Sequence, residues 1–154
     1  MGMARHWPKL AVTGLEPLPG SAEHARRAVE AAGLARRVEI RTDRGEDLTV
    51  QETYDLVLVP SAFISPTRVD RIVDRAVEAL RPGGWLLFAA GRDHDATAAA
   101  LWRFRAAACG GSGPGAVEAS DLLRRHGLAE VRFVGFGAGA TIGVAAGRRS
   151  PGGW

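Results

Sequence analysis

The chain has 154 residues, of which 46% are hydrophobic and 24% charged, with 20 glycines and 8 prolines. This length and composition are typical of one globular domain and exclude a disordered chain. A single cysteine, Cys109, excludes an internal disulfide framework.

The basic residues carry little information about a partner. They number 20 against 17 acidic residues, and nearly all are arginines scattered among carboxylates. A nucleic-acid binder gathers its cations on one element, so no nucleic-acid partner is expected. No stretch reaches the roughly 18 apolar residues that a membrane span needs, and the N-terminus lacks the apolar core of a secretion signal. We therefore expect a cytoplasmic protein without a membrane partner.

Strand-like and helix-like patterns alternate along the chain. Strands are predicted at 10–15, 38–40, 54–60, 85–90, 130–136 and 140–146, and helices at 20–32, 65–80, 96–108 and 117–126. The predicted fold class is α/β, with a mostly parallel sheet, helices on both faces and a C-terminal antiparallel hairpin. Residues 1–149 are predicted to form one domain, followed by a tail at 150–154.

Glu16 follows the first predicted strand, at the edge where open α/β sheets bind ligands. An ionised glutamate only accepts hydrogen bonds, and its two oxygens match the two hydroxyls of a nucleoside ribose. An exposed glutamate in a turn would produce the same pattern, so both interpretations stay open at this point.

Two further loops follow predicted strands at the same edge. The acidic loop 43–47 contains Asp43 and Glu46, which either meet an adenine or form a solvated loop. The loop 60–65 contains Ser61, which is placed to orient a substrate, and Phe63, which either flanks a ligand or belongs to the core. His94, between two aspartates, is the one candidate general base, and a surface cap explains it as well.

Two other patterns predict no site. Gly135, Gly137 and Gly139 have the spacing of a cofactor-binding glycine loop, but a strand-like segment follows where such a loop needs a helix. We interpret them as a turn. The 4 histidines share no ligand spacing, so no metal site is expected.

A helix that ends in a Leu-Arg-Pro-Gly-Gly element before a buried strand is the most specific motif in the chain. It lies at 80–84, and its companions are the acid at Glu16, the acidic loop 43–47, the strand opening Tyr-Asp-Leu-Val at 54–57 and the closing helix and strand at 122–134. Over residues 4–149 this arrangement resembles the class I S-adenosylmethionine-dependent methyltransferases, which have a Rossmann-like fold.

The resemblance implies a cofactor, S-adenosylmethionine, and a small-molecule methyl acceptor. It also implies that Glu16 binds the cofactor ribose and that Asp43 or Glu46 borders the adenine. The stretch that includes Pro60 and Ser61 would lie beside the methionine portion, with Phe63 on the acceptor side. An enzyme that uses a nicotinamide cofactor is the alternative that Glu16 alone would allow, and the element at 80–84 argues against it.

The resemblance departs from the family at the front of the chain. Residues 1–7 look like the end of the helix that follows the family's first strand and glycine-rich turn, neither of which is in this sequence. In the family that strand is central, so we expect two unpaired sheet edges, which would allow a homo-oligomer. A truncated, non-catalytic fragment or interaction module is therefore a second hypothesis.

Overall fold

The computed structural model describes residues 2–92, 96–137 and 140–152. The chain divides into two compact units, Met1–Leu48 and Thr49–Trp154, which we call unit 1 and unit 2. Each has its own sheet and its own hydrophobic core.

Unit 1 is a small strand-helix-strand unit preceded by a short helix. Its elements are α1 (Gly2–His6), β1 (Val12–Leu15), α2 (Pro19–Ala31) and β2 (Val38–Arg41), followed by a single 3-10 turn at Gly45–Asp47. The two strands pair in parallel from Val12 opposite Val38 to Leu15 opposite Arg41. Parallel pairing requires a crossover connection, which α2 supplies.

Arg37 joins the start of β2 to the N-terminal helix of unit 1. Its Nη1 donates to the carbonyl oxygens of Ala4, Trp7 and Leu10, at 2.8, 3.3 and 3.2 Å. Carbonyls at the end of a helix lack partners within the helix, so one guanidinium here satisfies several acceptors at once.

Unit 2 contains a four-stranded sheet and three helices. Its elements are β3 (Tyr54–Val59), α3 (Val69–Ala79), β4 (Leu80–Gly91), α4 (Ala96–Ala108), α5 (Ala116–Arg125), β5 (Ala129–Gly135) and β6 (Ile142–Arg148). The strand order is β3-β4-β6-β5, in which β3 and β4 are parallel and β6 is antiparallel to both β4 and β5. The predicted α/β class, with parallel strands and a closing antiparallel hairpin, is confirmed.

The core of unit 2 lies between one face of the sheet and the helices α3 and α5. Leu86, Phe88 and Ala90 alternate along β4 and are fully buried at this face. From the helices, Val73 and Leu123 reach the same core, and both are fully buried as well. The continuous apolar run of β4 therefore has a simple cause, because this strand lies inside the sheet.

The Arg-Pro-Gly-Gly segment forms an irregular start to β4. Gly83 has φ +82°, which favours glycine, and a Cβ at Gly84 would lie 2.9 Å from the carbonyl oxygen of Arg81. The turn is fixed to the end of β6, because Gly83 N donates to Arg149 O and Arg149 N donates to Gly84 O, at 2.9 and 2.8 Å. The two glycines thus have separate reasons.

The structure corrects the predicted boundaries near α3 and β4. Ser65, expected at the helix N-cap, precedes a 3-10 turn at Pro66–Arg68 and makes no capping hydrogen bond. Its hydroxyl contacts that of Thr67 at 3.0 Å, and α3 begins four residues later. The fourth strand begins at Leu80 rather than at 85, because the irregular segment already pairs with β3.

Two further expectations concern the ends of the sheet and the helices. A strand, β6, follows the glycines at 135–139, as predicted, although residues 138 and 139 lie outside the described residues. In the part of the chain that the structure describes, no helix is both long and apolar enough to cross a membrane.

Candidate functional site

Unit 1 brings two of the candidate acids to one edge of its sheet. Glu16 directly follows β1 and Asp43 follows β2 by one residue, so both lie where the parallel strands end. The hydrogen bond from Glu16 N to Arg41 O, at 2.9 Å, continues the strand pairing to this point. The shared edge predicted from the sequence is therefore present within unit 1.

Glu16 has one carboxylate oxygen in use. Its Oε1 accepts a hydrogen bond from Leu18 N at 3.0 Å, which shapes the turn after β1. Its Oε2 has no partner among the described residues. The side chain is therefore held by the backbone and still presents an acceptor, as a pair of hydroxyl donors would require.

The acidic loop is balanced by arginines that the sequence analysis did not pair with it. Arg41 forms an ion pair with Asp43 across two residues, and Arg44 Nη1 lies 4.0 Å from Glu46 Oε1. The side chain of Glu46 is 13% exposed and that of Asp43 is 40% exposed. Glu46 is therefore the more enclosed of the two acids, and Asp43 already has a cation beside it.

Unit 2 places Pro60, Ser61 and Phe63 in a 3-10 turn directly after β3. Ser61 is fully buried, and its hydroxyl donates to Ala89 O of β4 at 2.6 Å. Pro60 O accepts from Phe63 N at 3.1 Å, which closes the turn. The hydroxyl of Ser61 is thus used to hold the turn against β4, and Pro60 lies exposed at its start.

Phe63 is 71% exposed, so it is not part of the core. The turn that carries it is packed from a second side by the chain after α4. A Cβ at Gly111 would lie 2.1 Å from Ala62 O, and Ser112 N donates to Ile64 O at 3.1 Å. These contacts fix the turn and leave the Phe63 ring available to a ligand.

Helix α4 adds apolar residues that the sequence analysis missed. Leu101 is 40% exposed and Phe104 is 71% exposed, three residues apart on the same side of the helix. The signal was present, since α4 contains many more apolar residues than its buried stripe of Ala99, Trp102 and Ala106 needs. His94, the candidate general base, lies outside the described residues.

Comparison with known proteins adds a family to this geometry. The family model described as "Methyltransferase domain" matches residues 1–84, which is more than half of the chain. A comparison with curated proteins finds no match.

Solved structures of methyltransferases are similar to the chain over nearly its whole length. The S-adenosylmethionine-dependent methyltransferase SibL in its apo form is 26% identical, with a TM-score of 0.80, over 97% of this chain and 46% of SibL. The mitomycin 7-O-methyltransferase MmcR is also 26% identical, with a TM-score of 0.80, over 96% of this chain and 44% of MmcR. An O-methyltransferase family protein from Burkholderia thailandensis shares the fold at 21% identity and a TM-score of 0.80, over 97% of this chain and 47% of that protein. The chain therefore spans less than half the length of these proteins.

Proposed function

The chain belongs to the methyltransferase-domain family and has the fold of class I S-adenosylmethionine-dependent methyltransferases, and on this premise we propose that it binds S-adenosylmethionine and serves methyl transfer to a small-molecule acceptor. The observation that carries the proposal is the carboxylate of Glu16 at the carboxyl end of β1, with Oε2 free of protein partners. The family match also favours this interpretation over a nicotinamide-dependent enzyme.

Glu16 fits the ribose of the cofactor by its chemistry. Its ionised carboxylate accepts both hydroxyl hydrogens, while the bond from Leu18 N to Oε1 keeps the side chain in one orientation. At the same edge, Asp43 and Glu46 are proposed to border the adenine, where carboxylate oxygens accept from an amino group. Because Arg41 neutralises part of the charge of Asp43, Glu46 is the stronger candidate.

The turn after β3 is proposed to serve the methionine portion and the acceptor. The buried Ser61 contributes by holding the turn on β4, since its hydroxyl is already bonded to Ala89 O. Phe63 supplies an exposed aromatic ring against which an apolar acceptor packs and excludes water.

Methyl transfer asks little of the protein beyond position. The sulfonium of the bound cofactor supplies an already activated methyl group. The residues of this chain need to hold donor and acceptor in line and exclude water, which contributes much of the rate, and a base is needed only for acidic nucleophiles. For this reason no obligatory catalytic side chain is assigned.

Calorimetric titration with S-adenosylhomocysteine tests the proposal without requiring a known acceptor. We expect micromolar binding by the chain and at least about tenfold weaker binding by Glu16→Ala, because the carboxylate loses charge-assisted hydrogen bonds. Glu16→Gln keeps an acceptor for Leu18 N and separates the charge from the turn geometry. The matched control is Glu23→Ala, an exposed glutamate of α2 paired only with Arg27 at 3.7 Å.

The contrary outcomes of this titration are distinct. If the folded chain, checked by circular dichroism, binds no S-adenosylhomocysteine, the proposal is wrong and the non-catalytic interaction module becomes the better hypothesis. If Glu23→Ala weakens binding as much as Glu16→Ala, the ribose role of Glu16 is wrong. Binding of NAD in place of S-adenosylhomocysteine would overturn the choice of cofactor.

A further inference from the structure

The outer edge of β3 in unit 2 has no strand beside it. β3 is the first strand of the order β3-β4-β6-β5 and pairs only with β4. Its outward backbone N–H and C=O groups form a row that another extended chain can bind. Within the described part of unit 2, this row lies beside one of the two end strands of the sheet.

The side chains of β3 are those of an interior strand. Leu56 and Leu58 lie on the same sheet face as Trp85 and Leu87, and they are 46% and 51% exposed. On the opposite face, Val57 and Val59 pack with the α3 and α5 core. An edge strand with large exposed leucines is a site of association unless it is protected.

The other end strand of the same sheet, β5, carries such protection. A bulge interrupts its pairing between Ala129 and Arg132, Glu130 has φ +51°, and charged side chains occur within the strand. Bulges and charges of this kind prevent edge-to-edge pairing. From Leu56 to Val59, in contrast, β3 pairs regularly with β4 and contains neither a charge nor a proline.

We propose that the edge of β3 binds the β3 edge of a second copy of this chain, as an antiparallel strand pair around a two-fold axis at Val57. In this register Leu56 lies opposite the partner's Leu58, and Leu58 lies opposite the partner's Leu56. Directly opposed residues of an antiparallel pair share a face, so the four exposed leucines meet in one cluster. The self-complementary order Leu-Val-Leu is what selects a second copy as the occupant.

The charges of β3 are compatible with this pairing. Asp55 is the only charged residue of the strand, and it forms an ion pair with Arg81 at 2.8 Å. In the proposed register each Asp55 lies opposite the partner's Val59, at opposite ends of the strand pair. Like charges therefore do not face one another, which would otherwise oppose a symmetric dimer. The proposal does not depend on the proposed function.

Sedimentation equilibrium of the full chain and of single variants tests the surface. We expect a dimer at about 100 μM protomer, and Leu58→Lys should weaken it at least about tenfold, because a charge would replace an opposed leucine in each copy. The matched control is Val117→Lys, an apolar residue of α5 that is 64% exposed, which should leave the dimer unchanged. A chain that stays monomeric overturns the proposal and assigns the edge to a strand from another polypeptide. A dimer that is insensitive to Leu58→Lys also overturns it.

Disulfide trapping tests the register. In a Cys109→Ser background, which removes the exposed native thiol, Val57→Cys should form an intermolecular disulfide in a redox buffer. Opposed Cα atoms in antiparallel strands are about 4.5–5.5 Å apart, within the range of disulfides. Leu58→Cys is the control, because Leu58 and the partner's Leu58 would lie diagonally, about 7–8 Å apart. Equal trapping at both positions, or at neither, contradicts the two-fold at Val57.

Discussion

Unit 1 and unit 2 each contain parallel strands joined by a helix, but they differ in how much core supports them. The buried cluster of unit 1 consists of four residues, Ala4, Val29, Leu34 and Val38, whereas that of unit 2 has thirteen. Stability from apolar burial scales with the area removed from water. The acids proposed to bind the cofactor therefore stand on the less supported unit, where ligand binding adds proportionally more stability.

The largest expected effect is the loss of a core side chain in unit 2. Phe88 is fully buried in the middle of β4, so Phe88→Ala should lower the free energy of unfolding by about 3–5 kcal/mol. In unit 1, Val29→Ala should cost only about 1.5–3 kcal/mol, because fewer groups are removed from a smaller cluster.

Urea denaturation followed by circular dichroism measures both variants, and hydrogen exchange assigns each loss to its unit. Phe88→Leu, which keeps most of the volume, is the control. The contrast between the units fails if Val29→Ala is as destabilising as Phe88→Ala.

The pattern of apolar residues was enough to predict the architecture of unit 2. Residues such as Leu86 and Phe88 are apolar because they are buried, so their periodicity reports the fold directly. The position of Glu16 was predictable for a similar reason, since the carboxyl ends of parallel strands meet at one edge.

Contacts between distant residues could not be predicted from the sequence. The buried hydroxyl of Ser61 bonds to Ala89, and Gly111 packs against Ala62, but neither partner is marked by spacing or composition. The exposure of Phe63 was left open for the same reason, because an aromatic residue after a strand is equally common in a core.

One kind of polar contact occurs in both units and allows a direct comparison. Arg149 Nη1 donates to the carbonyl oxygens of Val77, Glu78 and Leu80 at the end of α3, and its Nη2 lies 3.0 Å from Glu52 Oε1. Arg37 does the same for the N-terminal segment of unit 1, without an acidic partner among the printed contacts of the described residues. Arg149→Met should cost about 2–3 kcal/mol, and Arg37→Met about 1–2 kcal/mol.

Hydrogen exchange separates the two arginine variants by location. Arg37→Met should increase exchange in α1 and the start of β2, whereas Arg149→Met should increase it at the end of α3. Arg36→Met is the matched control, because this neighbouring arginine is exposed and should change stability by less than about 0.5 kcal/mol. Equal effects of Arg36→Met and Arg37→Met would show that the three carbonyl contacts contribute nothing.

The smallest expected effect is a gain of stability in unit 1. Gly20 lies in the first turn of α2, and a Cβ at this position would meet no atom within 4 Å. Gly20→Ala should therefore stabilise the chain by about 0.4–1 kcal/mol, by reducing the entropy of the unfolded state. Because unit 1 has the smaller core, slower hydrogen exchange should appear in α2 and β2 and not in unit 2. A gain of the same size in the exchange of unit 2 would mean that the two units unfold together, and the difference between their cores would then have no separate consequence for the acidic edge.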